Sequence, residues 1–479
     1  MTDCLALVVL TLVVGTLAEP HSNLKTRINL SAFKFVSEHA QHVINLEVPK
    51  IVLPNITKSF RAGFGTGKVS VHGLNITEFK SPKFNFLPTN NGVSWSSEQG
   101  TIKLTGKWAA EYRLLAPMWA SGWMNLLASD IRLNVSGKVV SLNKRPQIIL
   151  GDCAAEVGSL HIEIGGGIVP FFVNLFRKVT SYALRRAIRY KACEMSRSLI
   201  LSEINDQLLT LPLHLRVWND FYIDYAVEKN PIFTRPYVES EAAAQVVYGN
   251  QSCYSPKIQE WTETDLVPKM AVVWIGESVP NCLLESAHKG NLIQYIATKD
   301  TPLMSSFLKT SCSLLSLSFC IGYFFPKLRS DYPDEYVDLH FHSYEAPVVQ
   351  MKNGTMRVNS TFAVDFHIHP MRDHPNSLAR LKLVSSSLLH PKIVENRLTA
   401  NVTKTENHFQ KDFSHIGVVS HTFLLLFGKM FSMSTSVMIR WMITKGVPIP
   451  VFNNVTISGA SEIRVFDQYM RVNADLEFR

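Results

Sequence analysis

Two His-x-His pairs, His340/His342 and His367/His369, come closest in type and spacing to a metal site. On a strand the period of two puts both imidazoles of a pair on one face, which is how a zinc site begins. A solvated strand face is the commoner reason for such a pattern, and no metal is expected. Gly165-Gly166-Gly167 precedes a long apolar stretch, as a phosphate-cradling turn would. No Lys-Ser/Thr follows it, so it reads as a flexible strand-to-helix joint. The chain has no Gly-x-Ser-x-Gly, His-Glu-x-x-His, Cys-x-x-Cys, phosphate loop or Gly-x-Gly-x-x-Gly. A hydrolase needs a nucleophile with a partner base, and no motif supplies one. No enzymatic activity, catalytic residue or cofactor is expected.

The cysteines are better placed for disulfides. Leu5 to Leu17 is apolar but too short to span a bilayer, and Thr16-Leu17-Ala18 supplies small residues, so residues 1–18 read as a secretory leader. Cleavage after Ala18 removes Cys4 and leaves six: Cys153, Cys193, Cys253, Cys282, Cys312 and Cys320. An even number in an exported chain favours pairing. Nine Asn-x-Ser/Thr sequons agree with export and mark candidate glycosylation sites: Asn29, Asn55, Asn75, Asn134, Asn250, Asn353, Asn359, Asn401 and Asn454. The expected product is secreted and extracellular.

At 479 residues the chain calls for two or more domains. With 46% hydrophobic and 18% charged residues it can bury a large core. The net charge of +9 favours weak attraction to anionic surfaces such as acidic lipid. No Lys/Arg-rich run, zinc-finger spacing or RNP-like motif points to nucleic acid. Neither Leu314 to Phe325 nor His421 to Ile443 makes a transmembrane helix: the first is too short, and Lys429 and Arg440 interrupt the second.

The elements repeat. Ser31 to Glu47 reads as a helix, strands fill Ser59 to Ile164, and Ile168 to Leu209 carries one long helical stripe interrupted at Arg186. Short strands follow Pro212, and residues 249–268 form a candidate linker. Then Ser278 to Lys289 reads as a short helix, strands run from Tyr336 to Val402, and Ile416 to Thr444 is a second long helix. The two orders are offset by about 245 to 250 residues, which predicts a duplicated unit. The expected domains are residues 19–248 and 269–479.

A helix laid along a curved sheet leaves a groove, and an apolar groove suits an acyl chain. The candidate lining is Phe33, Val36, Val43, Phe172, Leu175 and Val179 in the first half, with Leu424, Phe427, Phe431 and Val437 in the second. Lys50, Lys58, Arg61, Lys68, Lys103, Lys107 and Arg113 are scattered over the first sheet; if their turns converge they meet anionic head groups. Lys103, Lys107 and Arg113 are the head-group candidates.

Several short motifs, in order along the chain, carry a resemblance. They are Ile76-Thr-Glu78-Phe79, Thr105-Gly106-Lys107-Trp108, the Cys153/Cys193 spacing, Val273-Trp-Ile-Gly-Glu-Ser, and Gly446-Val-Pro448-Ile-Pro450. The whole mature chain resembles the family of bactericidal/permeability-increasing, lipopolysaccharide-binding and lipid-transfer proteins. The resemblance implies an α+β fold of two similar domains. Each is an antiparallel β-barrel or curved sheet packed on a long helix, and a central sheet joins them into an elongated boomerang. It implies a Cys153–Cys193 disulfide tying strand to long helix, and a phospholipid pocket in each half. It also implies an extracellular, non-enzymatic protein that binds or transfers phospholipid or another lipid. The alternative is an innate-immunity protein binding lipopolysaccharide. Lys107-Trp108 is followed by Ala109, Ala110 and Glu111 instead of further Lys and Arg, so the implied tip is only weakly basic. Four cysteines allow three pairings, which stay open.

Overall fold

The computed structural model describes residues 22–478 except 91, 114, 167–169, 219, 228, 254–259, 262–264, 303, 313–319, 353, 430–442, 444, 445, 450 and 452–454. The expected leader therefore lies outside the described residues, as do Asn353, Phe431, Val437 and Asn454. Among the described residues no helix is long and apolar enough to cross a membrane.

Two curled antiparallel sheets, one in each half, flank a central sheet. The first runs in the order Ile56–Ala62, Gly65–Lys80, Gly92–Arg113, Pro117–Leu142, Arg145–Gly166. Register shifts near His72 and Gly100 break its ladders locally, and such bulges let long strands bend. Its inward residues Val71, Leu104, Trp108, Met124 and Ala128 pack with Leu184 of the helix Pro170–Ser198. Trp108 is 1% exposed, and its Nε1 donates to the Gly165 carbonyl at 3.4 Å. A Cβ on Gly122 would stand 1.8 Å from that carbonyl, so only glycine lets the strands close beside the indole.

The long helix departs from the expected stripe. Ala183 is buried, but Tyr190 is 71% exposed, and among the described residues Thr180, Leu184, Ser196 and, just beyond the helix, Ile200 are also buried. Arg186 does not mark the break. The helix runs on to Ser198 and changes to a π-helical turn at Leu199–Ile204 before Asn205–Leu209. Wider i→i+5 bonding there shifts the face the last turn presents.

The second curled sheet runs Gln294–Ala297, Val337–Ser343, Thr355–Ile368, Ala379–Val394, Arg397–Ser414, Val447–Pro448. Its core is aromatic: Phe366, Phe409 and Phe423 surround Phe427 at ring separations of 6.0, 5.1 and 5.2 Å.

The central sheet draws strands from both halves, in the order Glu462–Phe466, Tyr469–Ala474, Ala271–Gly276, Leu24–Asn29, Tyr237–Tyr248, Phe221–Val227, His214–Trp218. Leu24–Asn29 is the seam, paired with Tyr237–Tyr248 on one edge and Ala271–Gly276 on the other. Alternation sends Leu24, Thr26 and Ile28 to one face and Lys25, Arg27 and Asn29 to the other. Both faces are covered. Lys25 and Arg27 are 7% and 4% exposed and share Glu239, whose carboxylate lies 3.6 Å from Lys25 Nζ and 2.9 Å from Arg27 Nε. The Trp274 ring lies under both cations, at 4.5 and 5.0 Å. The end of the expected linker is held on this face: Arg27 donates to the Asp265 carbonyl, and Asn29 Nδ2 to those of Val267 and Lys269.

Asn29 is thereby corrected as a glycosylation candidate, because its amide nitrogen is buried and spent on two carbonyls. Asn55, Asn75, Asn134, Asn250 and Asn401 are exposed, and Asn359 is half-buried.

Removing one partner from a buried ion pair strands the other charge. Glu239→Gln is expected to lower the unfolding free energy by about 3–5 kcal/mol, read as a lower urea midpoint at unchanged slope.

Candidate functional site: two apolar cavities at the seam

The apolar face of the central sheet does not close against its cover. It floors a cavity of about 410 Å³. Five strands supply alternate residues to that floor, among them Thr26, Tyr225, Ser240, Val273 and Val472. The roof is Leu211, Leu213, the helix Ser278–Lys289 through Val279, Pro280 and Leu283, and Val447, Ile449, Val451, Val455 and Ile457 near the C-terminal end. Polar side chains on the floor are few. Thr26 and Ser240 face each other across the ladder, and burial pushes the Tyr225 phenol well above its ordinary range, so it stays neutral.

A second cavity of about 250 Å³ adjoins it and shares Pro280, Leu283, Leu398, Val447 and Met470. Its other walls are Leu284 and Ala287 of the same helix, with Val349, Met356, Val358 and Phe362 of the C-terminal sheet. The helix is thus a partition, with Leu283 on both sides. It is tethered by the Cys253–Cys282 disulfide. The cysteine pairing left open by the sequence resolves as Cys253–Cys282 and Cys312–Cys320. Cys153 and Cys193 are bonded between a strand and the long helix, Cα to Cα 5.9 Å.

Four of the expected lining residues lie elsewhere. Phe33 is buried against Phe86 at 5.2 Å, and Val36 is 45% exposed. Leu424 and Phe427 belong to the packed aromatic core. None of these four lines either cavity. Val43, Phe172, Leu175 and Val179 sit in helices, but their side chains lie outside the described residues. A groove under each helix needs open space over its own sheet, and there the described side chains pack closely. Among the described residues the two apolar cavities fall where the two halves meet.

The head-group cations are also separated. Lys103, Lys107 and Arg113 share one face of Gly92–Arg113 but extend along it for roughly 34 Å at about 3.4 Å per residue. Lys103 is paired with Glu78. Only Arg113 reaches the hairpin end, where it joins Arg61 and Lys68 around a shallow depression with Glu111, its 2.6 Å partner. Sequence reading missed what surrounds this end: Phe64, Leu115 and Trp119 are 103%, 101% and 71% exposed. Apolar residues at turn positions were the available signal.

Comparisons with known proteins agree along the whole chain. The model of the LBP / BPI / CETP family N-terminal domain matches residues 32–203, and that of its C-terminal domain matches residues 216–478. The chain belongs to the LBP/BPI/CETP family. Among its relatives, the bactericidal permeability-increasing protein of Sebastes schlegelii is 21% identical over 485 residues, covering 100% of each chain. The lipopolysaccharide-binding protein of Mus musculus is 22% identical over 345 residues, 69% of this chain and 67% of its own. A crystal structure of lipopolysaccharide binding protein superposes with a TM-score of 0.58 at 17% identity, covering 96% of this chain and 99% of that one, which shows the shared fold. Both cavities of this family member draw most of their walls from the C-terminal match. Leu24, Thr26 and Ile28 precede both matched segments, and Leu211 and Leu213 fall between them.

The tether of the partition helix should be worth what a native disulfide usually is. Cys253→Ser with Cys282→Ser is expected to cost about 2–4 kcal/mol of stability, measured by denaturant unfolding.

Proposed function

We propose that this protein is a secreted, non-enzymatic lipid binder that lodges an acyl chain in the paired cavities at the seam. The observation that carries the reading is the contiguous apolar wall on both sides of Leu283. Ligand pockets typically enclose about 300–1,000 Å³ with few polar groups, and the larger cavity falls in that range. Each buried CH2 contributes roughly 0.8 kcal/mol, so one long chain is retained without any charged contact. Thr26, Tyr225 and Ser240 give a carbonyl or hydroxyl near the chain a place to hydrogen-bond. Phospholipid fits this description, as does any lipid with a comparable tail.

The test is native mass spectrometry and lipid extraction of the purified protein, with uptake of labelled phospholipid. Ala242→Phe projects a ring from the cavity floor and is expected to reduce uptake at least tenfold while leaving thermal stability unchanged or raised. A lipid-free preparation that takes up no labelled lipid sinks the reading. Turnover of lipid esters by the pure protein would overturn its non-enzymatic part.

A second reading rests on the N-terminal hairpin end. Exposed Phe64, Leu115 and Trp119 beside Arg61, Lys68 and Arg113 suit an anionic lipid surface, with rings and leucine entering the interface and cations meeting head groups. Lipopolysaccharide is one such lipid, and it is in the names of several relatives. Flotation with anionic and neutral vesicles, and with purified lipopolysaccharide, distinguishes the cases. Leu115→Ser with Trp119→Ser is expected to weaken binding to anionic vesicles about tenfold or more, since each apolar side chain removed forfeits roughly 1.5–3 kcal/mol. Equal binding to neutral vesicles would leave the cations without a role.

A further inference from the structure

The two His-x-His pairs do not lie on the solvated face expected of them. His340, His342 and His367 occupy adjacent antiparallel strands, Val337–Ser343 and Thr355–Ile368, and His369 follows the second directly; His340 stands opposite Asp365 and Asp338 opposite His367. Alternation sends Val337, Leu339 and Phe341 into the aromatic core and the histidines to the other face. That face is covered: Asp338, Asp365 and His367 are 2%, 4% and 3% exposed. The segment from His369 to Leu378 folds back over it. Met371 N–H donates to Asp338 at 2.9 Å, and the Ser377 hydroxyl donates to Asp365 at 3.1 Å.

The His374 carbonyl lies 3.3 Å from His367 Nδ1. A carbonyl only accepts, so Nδ1 carries the proton and Nε2 keeps its lone pair. His367 Nε2 is buried and finds no hydrogen-bond partner among the described residues. A buried acceptor left unpaired is costly and calls for a ligand. His340 Nε2 donates to Gln294 Oε1 at 2.9 Å, which leaves its Nδ1 as the donor atom. Donor atoms of His340, Asp365 and His367 lie within 4.8 Å of one another. His342 Nε2 stands 3.0 Å from Asp365 Oδ2, near the separation of two ligands on one metal.

We infer that His340, His367 and Asp365, with His342 drawn in from its contact on Asp365 as the fourth ligand, form a structural site for a divalent transition metal of the Zn2+ class. Imidazole-rich donors with one carboxylate suit zinc, copper or nickel and disfavour calcium and magnesium, which want oxygen. The ion takes the place of the proton that His342 Nε2 now donates to Asp365, and that proton leaves to solvent. The donors then draw in to bonds of about 2.0–2.1 Å. Arg380 grips Asp365 from behind at 2.6 and 2.9 Å, and the His374 carbonyl orients His367; both are the outer contacts that aim metal ligands. Four protein ligands leave no open position, so the metal binds two strands and their covering segment together and does no chemistry on lipid.

The test uses the full purified chain, stripped with a chelator and then given ZnCl2 or CoCl2. One equivalent of zinc is expected to survive gel filtration, with a melting temperature that rises with zinc concentration. Cobalt should give the intense visible bands of a four-coordinate site. His340→Gln and His342→Gln, both at half-buried positions, should each weaken zinc binding at least tenfold, as should His367→Gln if it folds. His161→Gln, far along the N-terminal sheet, should change nothing. Substoichiometric uptake, the weak cobalt spectrum of six-coordinate surface binding, or unchanged affinity in His340→Gln and His342→Gln would overturn the site.

Discussion

The strand Leu24–Asn29 is paired along both edges, to Tyr237–Tyr248 of the first half and to Ala271–Gly276 of the second. The rest of the molecule depends on that double pairing. It leaves no free edge at the seam, so the two halves share one continuous ladder. It also obliges six residues to satisfy two covered faces. Lys25 and Arg27 meet that demand with one carboxylate, Glu239, and the face of Trp274. The residues that would otherwise be a loose connection, Asp265 to Lys269, become acceptors for Arg27 and Asn29. Charge burial here does not add much stability by itself. It selects one register, because a slip by one residue would bring Lys25 and Arg27 against an apolar cavity.

The same geometry explains where empty volume can persist. Within each half large side chains pack against the described helical residues: Trp108 with Leu184 in the first, Phe366 with Phe423 and Phe427 in the second. At the seam the cover is assembled from unrelated pieces, namely Leu211 and Leu213, the partition helix, and residues such as Val447, Val451 and Val455. None of them was shaped by curling around the central sheet. Alternate small residues on the floor, Ala242, Ala271 and Ala474, keep the gap open. A cavity lined by aliphatic residues offers water few partners, so it favours an apolar guest over solvent.

Much of the fold was legible in the chain. Helix Ser278–Lys289 begins and ends where its pattern does, and each half carries a curled antiparallel sheet after its short helix, as the repeated order predicts. Asn143 and Lys144, both at positive φ, make the two-residue turn between Pro117–Leu142 and Arg145–Gly166, with asparagine at its first position as such turns favour. The site was not legible, for a physical reason. Its floor comes from segments as far apart as Thr26 and Val472, and pairing between them leaves no local period. Phe427 reads in sequence as a groove residue because aromatic side chains suit both lipid and core. Only the neighbouring rings of Phe366, Phe409 and Phe423 decide it for the core.

A strand with alternating apolar and polar residues is ordinarily taken to have one dry and one wet face. Here that inference fails at Leu24–Asn29 and again at Val337–Ser343, and the failures share a cause. In both, the polar face is covered by chain close in sequence to a neighbouring strand: residues 265–269 before Ala271–Gly276, and residues 369–378 after Thr355–Ile368. Alternation reports which face meets the core and says nothing of what folds over the other. The residue types carry a residual signal. A wet face tolerates any polar mixture, whereas Lys25 and Arg27 with Trp274, and Asp338, His340 and His342 with Asp365 and His367, are sets whose members complete one another. Complementary polar types on adjacent strands mark a covered face, and the pairing that brings them together is what a single sequence withholds.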